Sequence, residues 1–552
     1  MAAVGTTLSL VSFVAAAQPA PKSPPAPDKP QSGAVDAPPL AAGEAPPAPP
    51  PPGARTPETD APVAPTSAFG AGEEMGEQEE VAGFRGGFFI RDRRDYFRLY
   101  PEALLELDVD GAFGPGVGSL APDQGKAATT TRLLLQRARL GLEGEILRRW
   151  DFMLSFEFGG QPLTNAAGVD QSAAAAVGQQ PAPGTARFAP VEQPAASAAP
   201  ADVWLDYHLC NCFSLMLGQF NAPIGLENRT FDAFTPRRER NLAIRGFVVP
   251  GSKDIGAMAF GFFGDRVIAY ELGVFEGDGP NRPGADDRFD FMGRLTLRPF
   301  ATPGAGELAR WAQIGVSARF GDRDPNAVGY DYPAITTGQG FALWRPTYVD
   351  QYGRIEHVVP SGGQNTIGGE LRLRAMRMSL QGEAYYVDNG TREAVDGYQL
   401  TNTERLGRVR GAGWYVQLSG WPLGDAYVRP EPGVIQPRQL DMRAPEGRPR
   451  RGLEIVGVVA GVNASYDGAA RGGTADPHAP ATAITLYQVG LTAQYWHTQH
   501  VRVALDYDAY LAPGSGSAAG TVVPDNVVVG ASGKPGTGHV MHELGGRLTL
   551  AL

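Results

Sequence analysis

Sixteen stretches of alternating apolar and polar residues constrain the fold of this 552-residue chain more than any other feature. A single such stretch is a weak signal for a β-strand, because alternation over about ten residues arises easily. The series as a whole predicts sixteen strands. They lie at 99–110, 132–146, 150–159, 201–210, 212–220, 253–263, 266–275, 288–298, 311–320, 366–376, 378–387, 411–421, 451–466, 482–496, 500–510 and 541–552.

The connections between these stretches alternate in length, and one of them breaks the pattern. The long ones are 111–131, 160–200, 221–252, 276–287, 321–365, 388–410, 467–481 and 511–540. Short connections lie between them, except that 422–450 is long where a short turn is due. Long loops at one end and short turns at the other are typical of outer-membrane β-barrels. The prediction is an all-β, 16-stranded antiparallel transmembrane β-barrel with long extracellular loops.

The two faces of the predicted strands support this fold. In 500–510, Val501, Val503 and Leu505 alternate with Arg502 and Asp506. In a membrane barrel the apolar face meets lipid and the charged face meets water inside. No run of 18 or more apolar residues follows the N-terminus, which excludes helical membrane spans.

The N-terminal part of the chain has a different composition. Residues 1–17 combine an apolar segment with an Ala-rich end and are expected to be a signal peptide, although Lys and Arg are missing from its start. Residues 18–83 are rich in Ala and Pro, then acidic, and are expected to be a disordered periplasmic segment. A contact with the cell wall is a candidate role for this segment. Residues 84–552 form the predicted barrel domain.

Arginine dominates the basic residues. Of 48 Lys and Arg residues only 5 are Lys, and no basic run suggests nucleic-acid binding. The planar guanidinium group can bind two oxygens of an anion at once. Ten arginines fall on predicted inward faces and are the candidate pore-lining residues: Arg137, Arg139, Arg288, Arg294, Arg298, Arg319, Arg372, Arg374, Arg502 and Arg547.

The connection 221–252 is the candidate constriction of the barrel. It combines arginines with apolar residues such as Phe231 and Phe247 that could pack it against the inner wall. We therefore expect it to fold into the lumen. Its candidate functional residues are Arg229, Arg237, Arg238, Arg240 and Arg245.

Neither a metal site nor an enzyme is expected. Cys210 and Cys212 are the only cysteines, and on an extended chain they lie too far apart for an easy bridge. The seven histidines are scattered, and they form neither a Ser-His-Asp arrangement nor an H-E-x-x-H motif. The prediction is no catalytic residue, no metal and no cofactor.

Several motifs resemble those of the phosphate-selective porins O and P. They are QRARLGLEG at 136–144 followed by Trp150-Asp151-Phe152, GQFNAPIGLE at 218–227, Glu239-Arg240, Arg245-Gly246, Asp254-Ile255-Gly256, and GWYVQ at 413–417. The resemblance covers about residues 99–552. It implies a 16-stranded barrel in the bacterial outer membrane, surrounded by lipid, that assembles as a homotrimer around an anion-selective pore.

The resemblance also implies a passive channel for small anions, with phosphate or polyphosphate as candidate solutes. Family members selective for phosphate place lysines in the constriction, whereas the barrel region here contains only Lys126, Lys253 and Lys534. A cationic constriction must therefore consist mostly of arginine. Two alternatives stay open: a general or carbohydrate-permeable porin, and a non-conducting barrel that anchors the N-terminal segment.

Overall fold

The computed structural model describes most of the chain from residue 81 onward. The described residues are 81–84, 88–94, 96–114, 130–159, 198–248, 252–264, 266–282, 284, 286–301, 307–324, 332–340, 342–344, 346, 348–349, 355–394, 406–424, 451–467, 482–511 and 540–552. The predicted signal peptide and residues 18–80 of the predicted disordered segment lie outside these residues, whereas Ala82 and Gly83 at the end of that segment belong to a strand. Most of the exceptional connection 422–450 also lies outside the described residues.

The described chain is almost entirely β-strand. It begins with a small hairpin of β1 (Ala82–Phe84) and β2 (Phe88–Arg91). The next nine strands are β3 (Phe97–Phe113), β4 (Thr130–Ile146), β5 (Trp150–Glu157), β6 (Ala199–Cys210), β7 (Phe213–Asn221), β8 (Lys253–Phe263), β9 (Ile268–Phe275), β10 (Asp290–Leu297) and β11 (Gln313–Arg323). Three short strands follow: β12 (Ile335–Thr336), β13 (Ala342–Trp344) and β14 (Tyr348–Val349). The last seven are β15 (Ile355–Ala375), β16 (Met378–Ala394), β17 (Leu406–Gly424), β18 (Gly452–Asp467), β19 (Thr482–Trp496), β20 (Val501–Leu511) and β21 (Val540–Ala551).

Strands β3–β11 and β15–β21 form a closed antiparallel barrel of sixteen strands, which confirms the predicted fold. Each strand pairs with the next along the chain, and β11 pairs directly with β15. The barrel closes where β21 pairs with β3, with Leu548 opposite Leu107. The backbone amide of Leu552 also donates to the carbonyl of Ala103 at 2.8 Å across this seam. Closure leaves no unpaired strand edge in the wall.

Side chains alternate between the two faces of the wall. In β20, Val503 and Leu505 are exposed on the outside, whereas Arg502, Asp506 and Asp508 are buried inside. Strands β10 and β21 show the same alternation of exposed and buried side chains. The charged faces therefore point into the barrel, and the apolar faces form its outer surface.

The described helices are short. One spans Leu242–Phe247 and the other Glu307–Arg310, and a 3-10 turn covers Asp232–Phe234. None of the helices that the structure describes is long and apolar enough to cross a membrane.

The expectation for the two cysteines is wrong, since Cys210 and Cys212 form a disulfide. The chain does not continue in an extended conformation past Cys210 but turns at Asn211 and Cys212 to begin β7. This turn brings the two α-carbons to 5.2 Å, within the range that a disulfide requires.

Candidate functional site

We call residues 222–252, the connection between β7 and β8, the inner loop. Its described residues, 222–248 and 252, lie inside the barrel. Its first turn is anchored by Glu383, an inward-facing residue of β16. One carboxylate oxygen of Glu383 accepts from the backbone amide of Leu226 at 2.5 Å, and the other accepts from that of Glu227 at 3.1 Å. The hydroxyls of Tyr385 and Tyr415 donate to the same carboxylate at 2.7 and 2.5 Å. The inner loop is thereby attached to the wall at its start.

Gly225 makes this anchor possible. Its φ of +74° lies in the left-handed region, which side chains with a β-carbon disfavour. A β-carbon at this position would lie 1.8 Å from the hydroxyl oxygen of Tyr385 and 2.4 Å from Glu383 Oε1. Any other residue would therefore displace the loop from its anchor.

The helix Leu242–Phe247 packs the inner loop against the wall by apolar contact. Leu242, Ile244 and Phe247 are buried in one cluster with inward-facing residues of β17 and β18, such as Val409 and Val458. An apolar lumen face would be unfavourable in water, and here the helix covers it. This part of the lumen is packed rather than water-filled.

Arg237 holds the middle of the inner loop to β19 and β20. Its Nη2 lies 3.0 Å from Asp506 Oδ1 and 2.7 Å from Asp508 Oδ1, and its Nε donates to Thr492 Oγ1 at 3.2 Å. The Arg237 side chain is 1% exposed. The guanidinium group is therefore neutralised by two buried carboxylates.

Arg238 and Glu239 continue this attachment on β3 and β21. Arg238 lies 3.0 Å from Asp108 and also pairs with Asp110. Glu239 accepts from Arg547 at 2.6 Å, and Arg547 in turn donates to Asp108 at 2.7 Å. Inner loop and wall therefore share one network of alternating charges.

The other three arginines of the inner loop differ in their partners. Arg229 lies 2.9 Å from Glu271, and Arg240 lies 2.8 Å from Asp232. Arg245 donates only to neutral oxygens among the described residues: the carbonyls of Thr336 at 3.0 Å and of Arg240 at 2.7 Å, and the hydroxyl of Tyr510 at 3.2 Å. Arg245 is thus the loop arginine with no carboxylate in contact within the described chain.

The structure places most of the ten candidate pore-lining arginines inside the barrel, and many of them contact carboxylates. Their acidic contacts include Arg137 with Glu106, Arg139 with Asp232, Arg294 with Glu370, Arg319 with Asp290, Arg502 with Glu106 and Arg547 with Asp108. Arg298 and Arg374 lie 5.8 and 5.5 Å from the ring centre of Trp311, and Arg372 is buried. Arg288 lies before β10 in a half-exposed pair with Asp322. The ten arginines therefore differ in their surroundings and do not share a single site.

A second segment also enters the barrel, and the sequence analysis did not predict it. The described residues 332–340 and 342–344 between β11 and β15 are here called the second insert, and Ile335 packs against the helix Leu242–Phe247. The hydroxyl of Tyr332 accepts from Asn389 on β16 at 2.7 Å. On the other side, the backbone amide of Gly338 donates to the Tyr510 hydroxyl on β20 at 2.9 Å. The second insert therefore reaches from one part of the wall to another.

Burial and neighbouring charges act in opposite directions on the pKa values of Glu227 and Glu239, two of the three acidic residues of the inner loop. Burial raises the pKa of Glu227, and its hydrogen bonds from Asn241 and the nearby Arg240 reverse only part of that effect. Burial would also raise the pKa of Glu239, but the guanidinium groups of Arg137 and Arg547 outweigh it and lower the pKa to about 2. Glu239 is therefore ionised at neutral pH.

Comparison with protein families identifies the relatives of this barrel. The sequence profile of the phosphate-selective porin O and P family matches residues 108–423, which is more than half of the chain. The chain belongs to this family. It is therefore an outer-membrane channel of bacteria, and family and fold indicate a channel rather than an enzyme. Comparison with curated protein sequences finds no match.

Solved structures similar to this porin have low sequence identity. OmpT of Vibrio cholerae, in its trimer form, is 8% identical with a TM-score of 0.43, covering 83% of this chain and 100% of its own. The channel DcaP of Acinetobacter baumannii is 9% identical with a TM-score of 0.41, covering 84% and 99%. An anion-selective porin from Comamonas acidovorans is 10% identical with a TM-score of 0.37, covering 83% and 100%.

The wall carboxylates of this porin have a role that the sequence analysis missed. Asp506 and Asp508 fall on a predicted inward face, where charge is expected in any water-filled barrel, and Asp108 has the same role on β3. Their pairing with the inner loop depends on contacts across hundreds of residues, which alternation within a strand does not encode. One signal was available, because β18 is apolar on both faces, as Val458 and Val459 illustrate. Such a strand needs a cover on its lumen side.

Proposed function

We propose that this porin is a passive channel for small anions, with phosphate or polyphosphate as the candidate solutes. Arg245 carries the proposal. It lies where the inner loop meets the second insert, and no described carboxylate contacts it. Burial lowers the pKa of Arg245, but the nearby Tyr510, Asp508 and Glu543 together outweigh burial and raise it above its ordinary value. A fixed cation at this junction would attract an anion and let it leave again, as a selective pore requires.

The other loop arginines support the proposal less directly. Arg237 and Arg238 each face two carboxylates, so their charge is compensated locally. They hold the inner loop in place, and the loop in turn positions Arg245. The ten candidate pore-lining arginines keep their proposed role as weak, successive contacts for an anion.

The test is the reversal potential of single channels in a planar bilayer under a salt gradient, with phosphate added in steps. We expect anion selectivity in the native protein and a clear loss of it in Arg245→Gln. Arg377→Gln is the matched control, because this exposed arginine lies in the short turn between β15 and β16, donates to the carbonyls of Trp421 and Gly424, and is not among the candidate pore-lining residues. Equal selectivity in native protein and Arg245→Gln would refute the role of Arg245. Block by submillimolar phosphate would support a phosphate site.

A non-conducting barrel is the second candidate, and one observation favours it. The second insert connects Asn389 on β16 with Tyr510 on β20 through the interior, beside the inner loop. Absence of conductance from demonstrably folded protein would support this candidate. Conductance without ion preference would instead support a general or carbohydrate-permeable porin.

We also propose that the porin assembles as a homotrimer with its N-terminal segment in the periplasm. Family membership supports this assembly. Light scattering of the detergent-solubilised protein should give three chains per particle. A monomer at micromolar concentration would contradict it.

A further inference from the structure

Four inward-facing charged residues lie side by side across β3, β4, β5 and β6. Arg98 is opposite Glu145, Glu145 is opposite Asp151, and Asp151 is opposite Asp206. The row ends at Met216, which is opposite Asp206 on β7. One cation thus accompanies three carboxylates. Like charges placed directly opposite each other across strands are unfavourable unless something compensates them.

The one cation of this row is already engaged. Arg98 Nη1 lies 3.1 Å from Glu145 Oε2. No ion pair joins Asp151 or Asp206 to any residue that the structure describes. Asp206 is 4% exposed, and its Oδ1 is buried without a hydrogen-bond partner among the described residues. Asp506 and Asp508, by contrast, both form ion pairs with Arg237.

We propose that Asp151 and Asp206 bind a hydrated divalent cation, with Mg²⁺ as the physiological ion. Two carboxylates opposite each other on neighbouring strands supply the negative charge and two anionic ligands. The described residues contain no group of three or more His, Cys, Asp or Glu arranged for a metal. Water must therefore complete the shell. Mg²⁺ accepts this arrangement, because it keeps several waters and is commonly held by one or two carboxylates.

The location gives the site a consequence for the channel. Asp151 is the second residue of β5, next to the short turn 147–149, so the pair lies near the short-turn end of the barrel. Bound Mg²⁺ would cancel two negative charges on the inner wall there. Cations would then be less favoured at this opening than in the metal-free protein.

Mn²⁺ binding tests the site without depending on channel activity. The protein is refolded into detergent in the absence of lipopolysaccharide, and free Mn²⁺ is followed by electron paramagnetic resonance during titration. We expect one Mn²⁺ per chain that Mg²⁺ displaces. Asp206→Asn and Asp151→Asn should each weaken the affinity at least tenfold. Glu454→Gln is the matched control, since Glu454 is buried on the inner face of β18 and accepts from Ser419.

Two results would overturn the proposal. One is native protein that binds no Mn²⁺, which would mean that the two carboxylates are neutralised in another way, for example by sharing a proton. The other is Mn²⁺ binding that both Asn variants retain, which would place the ion elsewhere. Circular dichroism confirms folding of each variant, and the two Asn variants are independent of each other. Since no step measures conductance, failure here leaves the anion-channel proposal untouched.

Discussion

Replacing Arg237 tests whether ion pairs hold the inner loop inside the barrel. Arg237→Met keeps a long side chain but removes the guanidinium group that contacts Asp506 and Asp508 at 3.0 and 2.7 Å. The two carboxylates are 4% exposed and would face each other without their cation. We expect the inner loop to leave the wall far more often.

The size of the effect follows from burial. Removing one partner of a buried ion pair costs about 3–5 kcal/mol, because the remaining charge stays desolvated and unpaired. Each 1.4 kcal/mol changes an equilibrium about tenfold. Opening of the inner loop should therefore become at least about 100-fold more frequent. The half-exposed pair of Arg288 with Asp322 is worth about 0–1 kcal/mol, so Arg288→Met should change opening little.

Hydrogen–deuterium exchange of the amides of Leu226 and Leu242 measures loop opening directly. Both amides donate to wall side chains, to Glu383 and Gln488 respectively, and become exchangeable only when the loop detaches. The triple variant Arg237→Met, Asp506→Asn, Asp508→Asn should recover most of the protection, because it leaves no unpaired charge.

Unchanged exchange in Arg237→Met would refute the reasoning. The inner loop would then be held by its Glu383 anchor and apolar helix alone. Failure of the triple variant to recover protection, with normal barrel folding, would show that geometry rather than charge balance matters at this position.

Three further predictions concern the two inserted segments. Gly225→Ala should detach the start of the inner loop, since its β-carbon would lie 1.8 Å from the Tyr385 hydroxyl; native-like trypsin resistance of the loop would contradict this. Because the pKa of Glu239 is lowered from 4.5 to about 2, its charge stabilises the loop above pH 4.5, and this contribution of about 3 kcal/mol is lost as the pH falls through 2. Hydrogen–deuterium exchange of the inner-loop amides, corrected for the pH dependence of the intrinsic exchange rate, should show this loss of stability in native protein and not in Glu239→Gln. Equal pH profiles for the two proteins would contradict the prediction. Deleting residues 333–343 should raise single-channel conductance, and unchanged conductance would mean that ions do not pass the second insert.

The wall of the barrel could be predicted from the sequence because its signals are local. Each strand needs an apolar face for lipid and a polar face for the interior, and this alternation is readable within ten residues. The predicted bounds of β8 and β19 equal the observed ones. The bounds of β15 differ most, since the strand begins at Ile355 rather than 366. Where a strand extends beyond the membrane it no longer needs an apolar outer face. The alternation of apolar and polar residues is then lost, and the start of the strand cannot be read from the sequence.

The interior could be predicted only in part, because its contacts join residues far apart in the chain. The apolar residues of 221–252 correctly indicated a loop folded inward. The alternation pattern predicts only a long connection at 321–365, although Ile335, Leu343 and Trp344 of the second insert form a comparable apolar group. Extended-chain geometry does not predict the disulfide between Cys210 and Cys212, because the chain turns between the two strands at these residues.

Charge compensation, rather than the number of arginines, decides what the interior can select. A count of inward arginines suggests a strongly positive lumen, yet Arg237 and Arg238 each contact two carboxylates. Such arginines hold the inner loop rigidly against the wall. Their charge is neutralised by the neighbouring carboxylates and therefore cannot attract a distant ion. Ion selectivity then depends on the few positions where positive and negative side chains do not compensate each other. Arg245 is such a position on the positive side, and the pair Asp151 and Asp206 is one on the negative side.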